Sequence, residues 1–205
     1  EKELLKVEKQ LNTFATKIHN NREKAIPELI KKLEVLLETL GMPNARFNVE
    51  LTHSATFLGN GNDELKFLFS ANKGGQFNEL KKAASGGELS RIMLAIKSIL
   101  TNYTQLPTMM FDEIDTGVSG EISNKMALIM QQMSKTMQVF TITHLPQIAA
   151  KGDTHFKVFK EDVEEVTQTQ LKRLNPEERI MEIAQMLGGS NSSSSAIEHA
   201  KQLLN

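Results

Sequence analysis

Leu4, Val7, Leu11, Phe14 and Ile18 recur in steps of three and four, the spacing of a coiled-coil seam. The pattern falters at Asn20-Asn21-Arg22 and resumes through Ala25, Leu29, Leu33, Leu36 and Leu40. Pro27 is placed for a helix start or a kink, and Gly41-Met42-Pro43 ends the run. Two readings fit this periodicity: the root of a long coiled coil running into a globular head, or an amphipathic helical hairpin lying on its own domain.

Beyond residue 43 the period changes. Phe47, Val49 and Leu51 alternate with polar residues, as do Leu65, Phe67 and Phe69, and the turn-rich Gly59-Asn60-Gly61-Asn62-Asp63 lies between them. This predicts an antiparallel strand pair. After a Gly-containing loop at residues 72–75, a helix is predicted from Gly86 to about Leu100, burying Leu89, Ile92, Met93, Ile96, Ile99 and Leu100. Thr108-Met109-Met110-Phe111 and Val139-Phe140-Thr141-Ile142-Thr143 are apolar runs without alternation, which suits strands covered on both faces. Between them a helix is predicted over about Gly120 to Ser134, so strand, helix and strand argue for a parallel pair with a right-handed crossover. Residues 154–160 and 165–171 read as another strand pair. Asn175-Pro176 opens a helix that Gly188-Gly189 closes, and a Ser-rich connector at 190–195 leads into a last short helix. The chain thus reads as α/β in three parts: a helical root at 1–43, a lobe at 44–189, and the connector with its terminal helix at 190–205.

At 205 residues and a formal charge of −1, the chain can bury a sizeable core, and its overall charge neither requires nor excludes an anionic partner. The absence of cysteine rules out a disulfide scaffold or thiolate metal site and fits a reducing, cytoplasmic setting. The five histidines, at 19, 53, 144, 155 and 199, show no ligand-like spacing. No apolar stretch approaches the ~20 residues that cross a bilayer, so no membrane partner is expected. The chain starts at Glu1 inside a helical pattern, as a piece of a longer protein would.

Chemistry concentrates at three places. Ser85-Gly86-Gly87-Glu88 has the form of a capping box, with Ser accepting from an early helix N–H and Glu reaching back to the Ser N–H. A second box of this form is expected at Ser195 to Glu198. Capping does not account for two consecutive glycines in the first turn, each costing about 1 kcal/mol relative to Ala. They leave backbone N–H groups and the positive end of the helix dipole bare to an anion. Asp112 and Glu113 stand at the carboxyl end of one predicted strand, where ligands of open α/β sheets bind, and His144 stands at the same end of its neighbour. One acid can serve Mg²⁺ bridging two phosphates while the second orients or deprotonates water, and an imidazole can hold that water or donate to a phosphate. A loop of the form G-x-x-x-x-G-K-[ST] is absent, since no Gly is followed directly by Lys.

Three strings carry a family resemblance: Ala84-Ser85-Gly86-Gly87-Glu88-Leu89-Ser90-Arg91; Phe111-Asp112-Glu113-Ile114-Asp115-Thr116-Gly117-Val118-Ser119-Gly120; and Thr141-Ile142-Thr143-His144-Leu145-Pro146-Gln147-Ile148-Ala149-Ala150. They resemble the signature motif, the Walker B segment with its following loop, and the switch-histidine segment of ABC-type ATPase heads of the SMC class, in particular its bacterial DNA-repair members. The resemblance implies an ABC-ATPase-type (P-loop NTPase-like) C-terminal lobe with a mixed sheet and flanking helices. It also decides for the coiled-coil root over the hairpin. By that resemblance Ser85, Gly86 and Gly87 would bind the γ-phosphate of an ATP held by a second head, with Glu88 fixing the loop. Asp112 would serve Mg²⁺, Glu113 would be the catalytic base and His144 the γ-phosphate sensor. The implied partners are an N-terminal lobe carrying the Walker A loop, a second copy of the head in an ATP-dependent homodimer, and DNA at double-strand breaks, in the cytoplasm at the nucleoid. This chain alone would hydrolyse no ATP. Two positions depart from the wider class: Ala84 stands where Leu is usual, and Ser119 stands where that class has the D-loop Asp. Asp115, four residues earlier, is not assigned that role. An ABC-transporter domain would carry a different loop after Glu113, and a scaffold with decayed motifs would have little reason to keep Asp112, Glu113 and His144.

Overall fold

The computed structural model describes residues 1–118, 120–163, 166–189 and 193–205. The chain forms two compact units, Glu1–Ile99 and Leu100–Asn205.

In the first unit, α1 (Lys2–Thr39) is one continuous helix with Pro27 inside it, so the predicted interruption at residues 20–22 does not occur. Asn20 and Asn21 lie on the exposed side of the helix, whereas His19 and Arg22 face neighbouring strands and bond there. The apolar period lapses because that face meets a polar partner. Leu4, Leu5, Val7, Leu11 and Phe14 are exposed, while Leu33, Leu37 and Leu40 are fully buried. Gly41 closes the helix at φ +78, with Met42 N–H donating to Leu37 O at 2.8 Å and Gly41 N–H to Glu38 O at 3.1 Å, the paired bonds of a Schellman cap.

β1 (Arg46–Leu58) and β2 (Gly61–Ser70) form the predicted antiparallel pair, in a register that opposes Phe47 to Phe69, Val49 to Phe67 and Leu51 to Leu65. Phe47 and Phe69 are buried with ring centroids 5.3 Å apart, and α1 packs along both strands. Each large side chain buried here contributes roughly 1.5–3 kcal/mol. A short β3 (Asn78–Glu79) adds to β2, and one turn of helix, α2 (Leu80–Ala83), leads toward α3 (Gly86–Leu100). α3 buries Ile92, Leu94, Ala95 and Ile99, whereas Met93 and Leu100, predicted as core, are exposed.

The second unit opens with β4 (Thr108–Asp112), α4 (Gly120–Met133) and β5 (Gln138–Ile142), and β4 pairs with β5 in parallel, as predicted. The expectation that both faces of these strands are covered is not met within the described residues. Met109 and Phe111 are buried, but Met110, Phe140 and Ile142 are exposed. Then come α5 (Pro146–Lys151), the antiparallel pair β6 (Phe156–Val163) and β7 (Val166–Arg173), α6 (Pro176–Gly188) and α7 (Ser194–Leu204). Ala150, Ile183, Ala184 and Ala200 form the apolar cluster shared by α5, α6 and α7. Asn175 makes a complete capping box, accepting from Glu178 N–H at 2.9 Å while its own N–H donates to Glu178 Oε2 at 3.1 Å. The box predicted at Ser195 does not form. The cap lies two residues earlier, at Ser193, which accepts from Ala196 N–H at 3.2 Å. Parallel and antiparallel pairs are both present, each in its own small sheet.

Candidate functional site

The parallel register of β4 and β5 sets Asp112 opposite Ile142, so the carboxyl ends of the two strands finish side by side. Glu113 N–H donates to Ile142 O at 3.1 Å, carrying the ladder one step past β4. At that point Glu113 adopts φ +46, the left-handed conformation that costs a side-chain-bearing residue about 1–2 kcal/mol. The ladder bond on one side and Thr116 Oγ1–H donating to Glu113 O at 2.9 Å on the other hold it there. The chain therefore turns away sharply after Asp112, and both acidic residues are exposed at the strand end.

Asp115 behaves oppositely, for its side chain is 1% exposed. Thr143 Oγ1–H donates to its Oδ2, and Thr143 Oγ1 in turn accepts from Leu145 N–H at 3.0 Å. The other oxygen, Oδ1, has no hydrogen-bond partner and faces His144 Nδ1 at 3.7 Å, beyond hydrogen-bond reach. A buried carboxylate oxygen without a donor is costly, and the His144 ring, 64% exposed, is the group positioned to supply one. Asp115 thus joins the loop after β4 to the loop after β5 and sits behind the imidazole. Sequence reasoning assigned it no role; the available signal was a Thr directly before His144, a hydroxyl suited to bonding a carboxylate.

Ser85 to Glu88 belong to the first unit. Glu88 Oε2 accepts from both Ser85 N–H and Ser85 Oγ–H, each at 2.8 Å. Only half of the predicted box forms, since the Ser85 hydroxyl donates to Glu88 and does not accept from the helix. In consequence the described hydrogen bonds cover neither the Gly86 nor the Gly87 N–H, and Gly86 is exposed with nothing within 4 Å of where a Cβ would stand. An anion can approach this helix end closely. The glycine carbonyls are fixed from the next turn, Gly86 O by Ser90 Oγ–H at 3.0 Å and Gly87 O by Arg91 Nε–H at 3.1 Å. Arg91 also donates through Nη1 to Leu40 O at 2.9 Å, which ties α3 to the end of α1. Ser119 lies outside the described residues.

Asp112 fits a magnesium ion in a limited sense. Among the described residues, no group of three or more potential ligands forms around it. Magnesium is ordinarily held by one or two carboxylates together with substrate phosphates, so this donor set suits an ion that arrives with a nucleotide.

No family model matches the chain. Curated proteins do: the DNA repair protein RecN of Halalkalibacterium halodurans is 38% identical over 198 residues, 95% of this chain and 35% of the relative. RecN of Treponema pallidum is 40% identical over 179 residues, 84% of this chain and 31% of the relative. The chain belongs with the RecN proteins. It corresponds to their C-terminal part and spans about a third of their length. In fold the RecN-like chain is similar to SMC heads. The Smc head domain with a coiled coil and joint from Pyrococcus yayanosii superposes with a TM-score of 0.60 at 19% identity, over 88% of this chain and 34% of that one. A structure from work on ATP-driven dimerization and DNA-stimulated activation of SMC ATPases gives 0.53 at 17% identity, over 84% and 99%. These likenesses show an α/β lobe of the SMC head type. No helix among the described residues is long and apolar enough to cross a membrane.

Proposed function

We propose that this chain is the C-terminal lobe of an SMC-family ATPase that acts in recombinational repair of DNA double-strand breaks, in the cytoplasm at the nucleoid. The observation that carries the reading is the parallel β4–β5 end, where Asp112, Glu113 and His144 emerge together and Asp115 joins their loops. In phosphoryl transfer most of the catalysis is positioning and electrostatics, and each residue has a part of that kind. Asp112 would hold a magnesium ion that arrives with the nucleotide. Bound magnesium would neutralise phosphate charge. Glu113, aimed outward by its left-handed backbone, takes the proton of the attacking water. His144 contacts the γ-phosphate through Nε2 once the ring turns to bring Nδ1–H onto Asp115 Oδ1, now 3.7 Å away, and that bond then fixes the tautomer. Ser85 and the bare N–H groups of Gly86 and Gly87 serve the ATP of a second head, whose phosphate-binding loop comes from an N-terminal lobe. ATP then joins two heads as a homodimer on DNA, and hydrolysis releases them.

The test uses the full-length protein carrying Glu113→Gln. Loss of a positioned general base lowers turnover by about 100-fold or more. ATP binding persists, so ATP-bound paired heads accumulate in size-exclusion chromatography or cross-linking, while this chain alone shows no turnover. Hydrolysis at the native rate in Glu113→Gln removes Glu113 from its role, and robust turnover by the isolated chain overturns the shared site.

A further inference from the structure

A second cluster of titratable groups, unused by the proposed ATPase, lies in the first unit where α1 meets the β1–β2 hairpin. His19 and Arg22 share a face of α1, and the strand register opposes His53 on β1 to Asp63 on β2. The Asp63 side chain is 1% exposed, yet all three neighbours address it. Its Oδ1 lies 2.7 Å from His19 Nδ1 and 3.4 Å from His53 Nδ1, and its Oδ2 accepts from Arg22 Nη1–H at 2.7 Å. The two imidazole ring centroids lie 4.1 Å apart, with the planes tilted by 34°. Burial pushes the Asp63 carboxyl up, but the hydrogen bonds and charges of His19 and Arg22 outweigh it and hold the group below its ordinary value. A buried carboxylate thus has two imidazole nitrogens turned toward one of its oxygens.

We propose that His19 Nδ1, His53 Nδ1 and Asp63 Oδ1 form a binding site for a divalent transition-metal ion of the zinc type, which staples the root of α1 to the hairpin. The three ligand atoms lie within 4.8 Å of one another. Zinc bonds of about 2.0–2.2 Å in a tetrahedron separate ligand atoms by roughly 3.3–3.6 Å, so contacts of 2.7 and 3.4 Å need only small shifts to admit the ion. Two imidazoles and one carboxylate select a transition metal over magnesium or calcium, which take oxygen ligands.

The surroundings supply the outer contacts that such ligands use. His19 Nε2 faces Glu23 Oε1 at 3.6 Å, a short shift from the carboxylate–histidine hydrogen bond that orients a metal-bound ring, and Arg22 holds the non-ligating oxygen of Asp63. Arg22 is also anchored to Asn60 O at 2.7 Å, so it stays on that distal oxygen. Asp63 and Glu23 offset part of the positive charge that Arg22 and the ion bring. His53 is 58% exposed, which leaves a route in and room for water at the fourth position. Gly61, at φ +112, lets the turn approach the helix so closely that a Cβ there would stand 3.6 Å from both Arg22 and Ile18. Binding requires the Nδ1 lone pair of each ring to be turned to the ion, so the His19 proton now shared with Asp63 leaves as the metal enters.

The experiment uses the untagged, chelator-stripped chain at pH 7.5, titrated with Zn²⁺ against a chromophoric chelator and, separately, with Co²⁺. The proposal requires one equivalent of Zn²⁺ at micromolar affinity or tighter and Co²⁺ absorption bands of four-coordinate intensity. His53→Gln changes an exposed side chain and is checked for folding by circular dichroism; it lowers affinity at least tenfold, as do His19→Gln and Asp63→Asn. His155→Gln and His199→Gln leave it unchanged. Binding of less than one equivalent, or binding equal in native and His53→Gln chains, overturns the proposal and leaves the cluster a hydrogen-bonded junction. Because the site does not use Glu113, its titration is independent of the ATPase test.

Discussion

Replacing Arg91 by Met removes a guanidinium while keeping most of the apolar stem, at little change in helix propensity. Two bonds go with it, Nη1–H to Leu40 O at 2.9 Å and Nε–H to Gly87 O at 3.1 Å. Hydrogen bonds from a charged donor contribute roughly 1.5–3 kcal/mol each, and partial burial puts these toward the lower end. The Leu40 carbonyl matters more than the Gly87 one. Leu40 is fully buried at the close of α1, where carbonyls have no partner within the helix, and an acceptor left unmet there costs about 1–3 kcal/mol. Since lost bond and stranded acceptor overlap, the net loss is about 2–4 kcal/mol. The assay is urea unfolding followed by far-ultraviolet circular dichroism, with hydrogen exchange of amides near the end of α1 as the local readout. Arg91→Lys, with one donor head in place of a fork, recovers half of the loss or less. Arg91→Met unfolding within 0.5 kcal/mol of native would refute the reasoning, because it would mean that solvent already satisfies Leu40 O.

Two further outcomes follow from other sites. Glu113→Gly relieves the φ +46 conformation, so it raises stability by up to about 1 kcal/mol while abolishing ATP turnover in the full-length protein; a destabilised variant would contradict the strain. His155 is held below its ordinary value by burial first and by Arg179 and Lys157, partly offset by Glu182, so it stays neutral in the folded chain below pH 6.5. The unfolded chain takes up that proton, so stability is full above pH 6.5 and is lost as pH falls from there through the lowered folded value. Tm measured from pH 7.5 to 5.5 should drop more steeply for native protein than for His155→Gln, and parallel curves would exclude His155 as the cause.

What the sequence disclosed is what local pattern encodes. Gly86 as a helix start, the parallel pairing of residues 108–112 with 138–142, and the Asn175 cap follow from period, crossover handedness and cap chemistry within one or two elements. Features set by distant register were hidden. Asn20 to Arg22 read as a break because the partner of Arg22, Asp63, is supplied by a strand far along the chain, while Asn20 and Asn21 face solvent. His19 and His53 have no ligand spacing in sequence, and only the register of β1 on β2 and the docking of α1 bring them together. Met110, Phe140 and Ile142 read as buried because apolar composition alone does not say whether a covering layer lies in the same stretch of chain. The burial of Asp115 was equally silent, since an acid two residues after Glu113 looks like turn solvation until Thr143 is placed against it.

The bond between Asp115 and Thr143 also bears on engineering. The segments after β4 and β5 are the natural units to exchange between homologous heads, yet each holds half of one buried polar contact. Grafting either segment alone would leave a buried carboxylate or a stranded hydroxyl, so a workable chimera has to transplant both segments as a matched pair.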